Sequence, residues 1–371
     1  TRILLSDSTG AAYALVSCPA KGWSTFTSPE GYFSMNENDG NDKLKIEVSK
    51  PAFQTVEFTD HASVPEKILL VSAKISPSNL SVGEVLKSFY RNNSRNRSSK
   101  KNYLKGAYRE ELYNGGELQQ LTDFYFIQQW PSLAESNGRI ETHLKSGRVF
   151  QSTDVSDKIP FTPQNRYNDA VPMMDPLFAK LSFLNPSFAK NYQFECVGET
   201  TFEGRKMYRI RFDQATKTPW ALYKGELYID AETFGLAWAQ WLISDKGEKY
   251  LMPDEYLAAG GAPETFKRNN EHNEITFSFN GGFWVPQFAI SNVSFSQKGQ
   301  HYKILREIAW NPASPAGKFK PLFPDDMNRR VTIRKTPEYK PGNWRPFWLL
   351  PPSKEIMNQV KFLNEVTSYR Q

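Results

Sequence analysis

A mainly β fold is predicted: an N-terminal β-sandwich, then a large antiparallel sheet, few short helices and an extended Pro-rich C-terminal tail. Three observations carry this. Apolar and polar residues alternate at a period of two, as where Tyr208, Ile210 and Phe212 interleave with Arg209 and Arg211. Aromatic residues make up 14% of the chain, and their flat, bulky side chains suit pleated surfaces better than helices. Hairpin signals recur, among them Asn114-Gly115-Gly116 and Asn280-Gly281-Gly282.

The chain has 371 residues, more than one hydrophobic core usually serves, so two or more domains are expected. Its net charge of +6 comes from 46 basic against 40 acidic residues, a mild excess that argues against nucleic-acid binding. No apolar run approaches the roughly 18 residues a membrane-spanning helix needs. The start at Thr1 shows no basic segment followed by an apolar stretch, so any export signal is expected to be removed or never present. Cys18 and Cys196 are far apart and are expected as separate small hydrophobes on their own strands.

Residues 1–76 read as a compact all-β unit. Seven short apolar segments, at 3–5, 13–18, 23–26, 32–35, 44–48, 55–58 and 68–71, are separated by turn formers. Residues 77–102 hold a helix and a basic linker. Ser81 with Glu84 three residues on forms a capping-box signature, and Val82, Val85, Leu86 and Phe89 make one apolar stripe. Arg91, Arg95, Arg97, Lys100 and Lys101 then place five cations in eleven residues. They are candidate contacts to an anionic surface such as lipid head groups, with a solvated linker as the plainer reading.

Residues 103–312 read as a second, larger β domain. Strands are expected at 103–113, 117–130, 139–144, 192–197, 206–212, 227–230, 236–243, 274–280, 283–287, 288–296 and 302–310, with a short helix over 176–184. Leu236, Trp238 and Leu242 are expected on one face of their strand and Ala237, Ala239, Trp241 and Ile243 on the other, which marks a central strand covered on both sides. Phe288 and Ile290 fall out of phase with Val293 and Phe295, which predicts a bulge near Ser291. Asp230 is expected to cap a turn through its side chain.

Two resemblances follow from the motifs. Ala12-Tyr13-Ala14-Leu15-Val16, then Trp23 to Met35, then Lys50 to Val56 resemble the carboxypeptidase-regulatory-like domain, with a departure at Lys21-Gly22-Trp23. That resemblance implies a transthyretin-like sandwich without catalytic function. Ala107-Tyr108-Arg109-Glu110, Lys145-Ser146-Gly147-Arg148, Gly204 to Phe212 and Gly225 to Asp230, in that order, are similar to the periplasmic part of Bacteroidota outer-membrane proteins. This implies a curved, lipoprotein-carrier-like antiparallel sheet around a short helix. In such proteins a membrane β-barrel often follows. No barrel-forming strand series is read here, so the barrel is expected either to be missing or to be supplied by another chain.

The tail, 313–371, is Pro-rich, and a last helix is expected from Lys354 to Val366. Trp344, Phe347, Trp348, Leu349 and Leu350 are candidate partner-binding residues, with packing on the chain's own domains as the alternative. For chemistry the motifs offer little. His61, His143, His272 and His301 show no metal-ligand spacing, and no Cys-x-x-Cys, nucleophile elbow or phosphate loop is present. Asp39-Gly40-Asn41-Asp42 is too short for a calcium loop and reads as a β-turn. No cofactor and no metal site are expected.

Three functions are weighed. The first is a non-enzymatic scaffold or accessory subunit of the bacterial envelope, periplasmic and outer-membrane-associated, binding other envelope proteins and touching the membrane surface. The second is a carrier of a lipid or other apolar ligand, in a cavity lined by Trp238, Trp241, Phe277 and Phe279. The third is a hydrolase with an accessory sandwich. The motif survey favours the first.

Overall fold

The computed structural model describes residues 1–21, 23–33, 45–60, 63–98, 102–130, 141–152, 175–177, 182–250, 266–297, 299–315 and 350–365. The fold is mainly β, as expected. In the N-terminal unit, β1 (Arg2–Leu4), β2 (Leu15–Cys18), β3 (Trp23–Phe26), β4 (Ile46–Ser49), β5 (Val56–Phe58) and β6 (Lys67–Leu69) form two sheets. One has the order β3-β2-β4-β5, and the other is the parallel pair β1-β6. Ile3, Val16, Phe33, Ile46, Val48, Ile68 and Leu70 fill the space between them. Where seven strands were expected, six are found among the described residues. Tyr32 makes only an isolated bridge to Arg2, and β2 starts two residues late because Tyr13 sits at φ 55°.

Ser76 bridges Glu199, and α1 (Val82–Asn92) follows. Its capping box is formed: the Glu84 amide donates to Ser81 Oγ at 3.3 Å, and the Ser81 amide donates to Glu84 Oε2 at 2.8 Å. Val85 and Phe89 are the buried members of its stripe.

The rest is one antiparallel sheet. Its strands are β7 (Asn102–Asn114), β8 (Glu117–Trp130), β9 (Glu141–Gln151), β10 (Tyr192–Phe202), β11 (Arg205–Gln214), β12 (Tyr223–Asp230), β13 (Leu236–Ile243), β14 (Phe266–Asn280), β15 (Phe283–Gln297) and β16 (Gln300–Pro315), with the two-residue β17 (Asn364–Glu365). The order is β10-β11-β12-β13-β14-β15-β16-β7-β8-β9-β17. Gly115 and Gly116, at φ 60° and 92°, make the two-residue turn that closes β7 on β8. Asp230 caps its turn as expected, accepting from the Thr233 amide at 2.7 Å.

Cross-strand register assigns the faces. Tyr208, Ile210, Leu227, Ile229, Leu236, Trp241 and Ile275 share the inner face, in one cluster with Val85 and Phe89 of α1. Phe183 stacks on Phe212 there at 4.1 Å and meets the edge of Trp241 at 5.7 Å. The opposite, outer face carries the sandwich: Tyr13 and Phe26 pack on Phe288 at 5.2 and 4.6 Å.

Several expectations need correction. The ladder skips Ala237, pairing Tyr228 with Trp238 and Ile229 with Leu236. That bulge moves Leu236 to the inner face and leaves Trp238 outside. Residues 283–297 form one strand, and its bulge is at Gln287, not Ser291: Thr276 pairs with Phe288 and Phe277 with Pro286. Pro286 has no N–H for the ladder, which makes this the place where an interruption costs least. The phase slip at Phe288, Ile290, Val293 and Phe295 instead reflects apolar cover on both faces. The C-terminal helix is shorter than expected. α2 (Lys354–Gln359) gives way to a 3-10 turn at Val360–Phe362, and Leu363 is extended as the chain enters β17. The helix expected over 176–184 lies partly outside the described residues, and its described ends are turns. Both described cysteines are free.

Because Phe89 is 1% exposed under the sheet, Phe89→Ala is expected to cost about 3–5 kcal/mol. Ser81→Ala, which removes only the cap, is expected to cost about 1 kcal/mol. Urea denaturation of the two variants checks this ranking.

Candidate functional site

Arg109 and Glu110 are neighbours on β7, so their side chains point to opposite faces. They pair across the ladder with Glu307 and Arg306 of β16. On the outer face the Arg109 guanidinium lies 2.9 Å from Asp123 and 3.5 Å from Glu307. On the inner face Arg306 lies 2.7 Å from Glu110, which also accepts from the Tyr108 hydroxyl at 2.9 Å. Arg109, Glu110, Asp123 and Glu307 are all buried.

The outer half of this arrangement joins three parts of the chain. Tyr13 of the sandwich donates to Glu307. Arg109 also donates to the carbonyls of Leu350 and Pro351, at 3.0 and 3.4 Å. The segment 350–365 is then fastened along its length. Ser353 caps α2, the Lys354 amide donates to Glu30 at 2.9 Å, and the Lys354 ammonium lies 4.6 Å from the Tyr32 ring centre. Gln359 accepts from the Leu118 amide, Ile356 packs with Tyr113, Leu118 and Leu121, and β17 pairs with the end of β9.

Glu111, next along β7, points outward again. It is 1% exposed and accepts from the Tyr113 hydroxyl at 2.5 Å. Burial, with Glu307 adding its negative charge, pushes its carboxyl up to about 8 despite Arg109. Burial also raises Glu307, against the pull of Arg109 and Tyr13. One guanidinium thus faces three acids, and the proton held by Glu111 relieves the excess negative charge.

The expected site residues fare differently. Leu350 is 4% exposed and packs with Phe288, Ile290, Leu305 and Ala309, so it belongs to the chain's own core and offers no surface to a partner. Trp344, Phe347, Trp348 and Leu349 lie outside the described residues, as do Lys100, Lys101, His61 and the turn at Asp39. Arg91 and Arg95 are exposed. Arg97 departs from the expected basic surface: it is half-buried beside Asp175, whose carboxyl burial raises to about 6.

The four aromatics expected to line a carrier cavity belong to or pack against one core cluster, but not from one face of the sheet. Trp238 is on the outer face, donating to Glu274 at 2.8 Å, and Phe279 lies under the Arg205 guanidinium. Trp241 and Phe277 are packed into the inner core. Among the described residues, a space of about 50 Å³ lies beside Leu104, Trp130, Leu236 and Phe277. Ser296 Oγ lies 2.8 Å from His301 Nδ1, yet this is an exposed cross-strand pair near a hairpin end and does not line that space. Among the described residues no cluster suited to a metal ion is found.

Sequence reasoning missed the Arg109 junction. A signal was present: Arg109-Glu110-Glu111 and Arg306-Glu307 are charges set between apolar neighbours, Ala107-Tyr108 and Leu112-Tyr113 on one strand, Ile304-Leu305 and Ile308-Ala309 on the other.

No family model and no curated protein matches the chain. Among solved structures it is similar to a DUF1329 family protein from Desulfovibrio piger, at 10% identity over 62% of this chain and 93% of that chain, with a TM-score of 0.26. It is similar also to a putative outer membrane lipoprotein-sorting protein domain from Vibrio parahaemolyticus, at 12% identity over 68% and 99%, TM-score 0.26. A LolA superfamily protein from Nitrosomonas europaea aligns at 10% identity over 62% and 93%, TM-score 0.24. At such scores these likenesses carry no argument about the site.

Arg109→Gln leaves Asp123 and Glu307 buried without their cation and is expected to cost about 3–5 kcal/mol. The same variant is expected to expose the chain around residue 350 to limited proteolysis while the sandwich stays protected. A second expectation concerns pH. Below the ordinary carboxyl value of 4.5 both folded and unfolded chains hold the Glu111 proton; between 4.5 and about 8 only the folded chain does. Stability therefore falls as pH rises through that window. Glu111→Gln is expected to match the parent at pH 4.5 and exceed it at pH 8.5 in denaturation midpoint.

Proposed function

We propose that this protein is a non-enzymatic binding subunit of the bacterial envelope, working in the periplasm at the outer membrane and holding other proteins there. The observation that supports this best is how the C-terminal region is mounted. β16 ends at Pro315 inside the sheet, and residues 350–365 are fastened to the same sheet by Arg109, Gln359 and β17. The Pro-rich run 316–349 is thereby tethered at both ends, with Trp344, Phe347 and Trp348 close to the second anchor. A Pro-rich composition with large aromatics suits recognition of another protein.

The periplasmic location rests on the motif resemblances of residues 1–310, and the proposed partners are envelope proteins, including a β-barrel supplied by another chain. No helix among the described residues is long and apolar enough to cross a membrane. Arg91 in the last turn of α1 and Arg95 just beyond it are exposed and suited to contact the membrane surface.

Replacing Trp344, Phe347 and Trp348 together by alanine is expected to deplete envelope partners at least tenfold in a pull-down, with the denaturation midpoint unchanged. Full partner recovery by the triple variant would overturn the reading.

A further inference from the structure

A second cavity, of about 350 Å³, opens on the outer face where the sandwich, the sheet and α2 meet. This size suits a small molecule. Its acids are Glu30, Glu111, Glu274 and Glu355, and its bases are Lys50, Lys303 and His272. Tyr13 and Tyr113 are among its lining residues. Carboxyl groups are the most numerous of its ionisable groups.

The partners of these groups narrow the choice of ligand. Lys50 is engaged by the Ala12 carbonyl at 2.8 Å, and Lys303 lies 5.4 Å from the Tyr113 ring centre. Glu30 accepts from Lys354 and Ser28, and Glu355 from Gln359. Glu274 accepts from Trp238 and lies 4.0 Å from His272. Burial raises the Glu274 carboxyl, but His272, Lys50 and Trp238 outweigh this and hold it below its ordinary value. Glu111 differs. Its Oε2 takes the Tyr113 hydroxyl, while its Oε1 is buried with no hydrogen-bond partner. A buried acceptor left unmatched is costly, and native proteins keep few of them.

We propose that this cleft is a binding site for a compact organic cation, an alkylguanidinium or alkylammonium, whose N–H groups are received by Glu111. Tyr13 and Tyr113 flank the cation, since aromatic faces attract positive charge. The ligand lies between sandwich, sheet and α2 and so ties the three together.

The site has a proton signature. Around Glu111 stand Arg109, Tyr113, Glu307 and Asp123 on the sheet, Glu355 on α2, and the cleft groups Lys303, His272 and Glu274. A bound cation favours the ionised carboxyl, so Glu111 releases its proton on binding. Affinity then rises with pH, by about tenfold per unit below the carboxyl's free value of about 8.

The test is calorimetric titration of the full chain with butylguanidinium, with N-butylurea as the neutral isostere and pentanoate as the anion. Butylguanidinium alone is expected to bind. Titration in two buffers of different ionisation enthalpy is expected to show proton release at pH 7. Glu111→Gln, which keeps the shape and is expected to fold stably, should weaken binding at least tenfold. No binding of butylguanidinium, binding without proton release, equal binding of the urea, or an undiminished Glu111→Gln would each overturn the proposal. The parent's proton release is read independently of how the variant folds.

Discussion

Strand β7 meets strand β16 with Arg109 opposite Glu307 and Glu110 opposite Arg306. A slip of one residue in either direction would bring Arg109 against Arg306, or Glu110 against Glu307. Both are buried like-charge pairs, whose cost inside a sheet far exceeds that of a mismatched apolar contact. The correct register alone gives each guanidinium a carboxylate on its own face. This pairing is also where the sheet is joined: β7–β9 come from before the long run β10–β16, and among the described residues the β16–β7 ladder alone connects the two blocks. The continuity of the sheet depends on it.

The same pairing organises what lies outside. Arg109 has donors left after binding Asp123 and Glu307, and they reach the Leu350 and Pro351 carbonyls. Glu307 takes the Tyr13 hydroxyl. A guanidinium can serve several acceptors at once because its N–H groups are fixed in a planar fork. Sandwich, sheet and C-terminal segment are therefore held at one buried point, with Phe26, Phe288 and Leu350 packed beside it. The inner face is closed differently, by the apolar side of α1 and by Phe183. With both faces covered, β12, β13, β15 and β16 carry apolar residues at successive positions.

Local features were legible where local chemistry decides them. The Gly115-Gly116 turn, the Ser81–Glu84 box and the Asp230 cap all involve groups within a few residues of one another, and each is in place. The faces of β13 and β15 were not legible. A bulge depends on what the partner strand offers, and the skips at Ala237 and Gln287 are set by pairing with β12 and β14. The length of α2 was misread for a related reason. Its apolar spacing continues past Gln359, but the edge of β9 draws the chain into an extended pairing instead.

The amino-acid sequence by itself determined the class of fold, the position of most strands and the cap of α1, because period, propensity and turn chemistry act over short distances. Tertiary structure alone decided which residues form the junction. Arg109, Asp123, Glu307, Tyr13 and the Leu350 carbonyl come from five separate stretches, and no spacing within any one of them reports the others. Glu111 shows the same division: as a letter it is one more acid within a strand, and only burial beside Glu307 makes it a group that holds its proton at neutral pH.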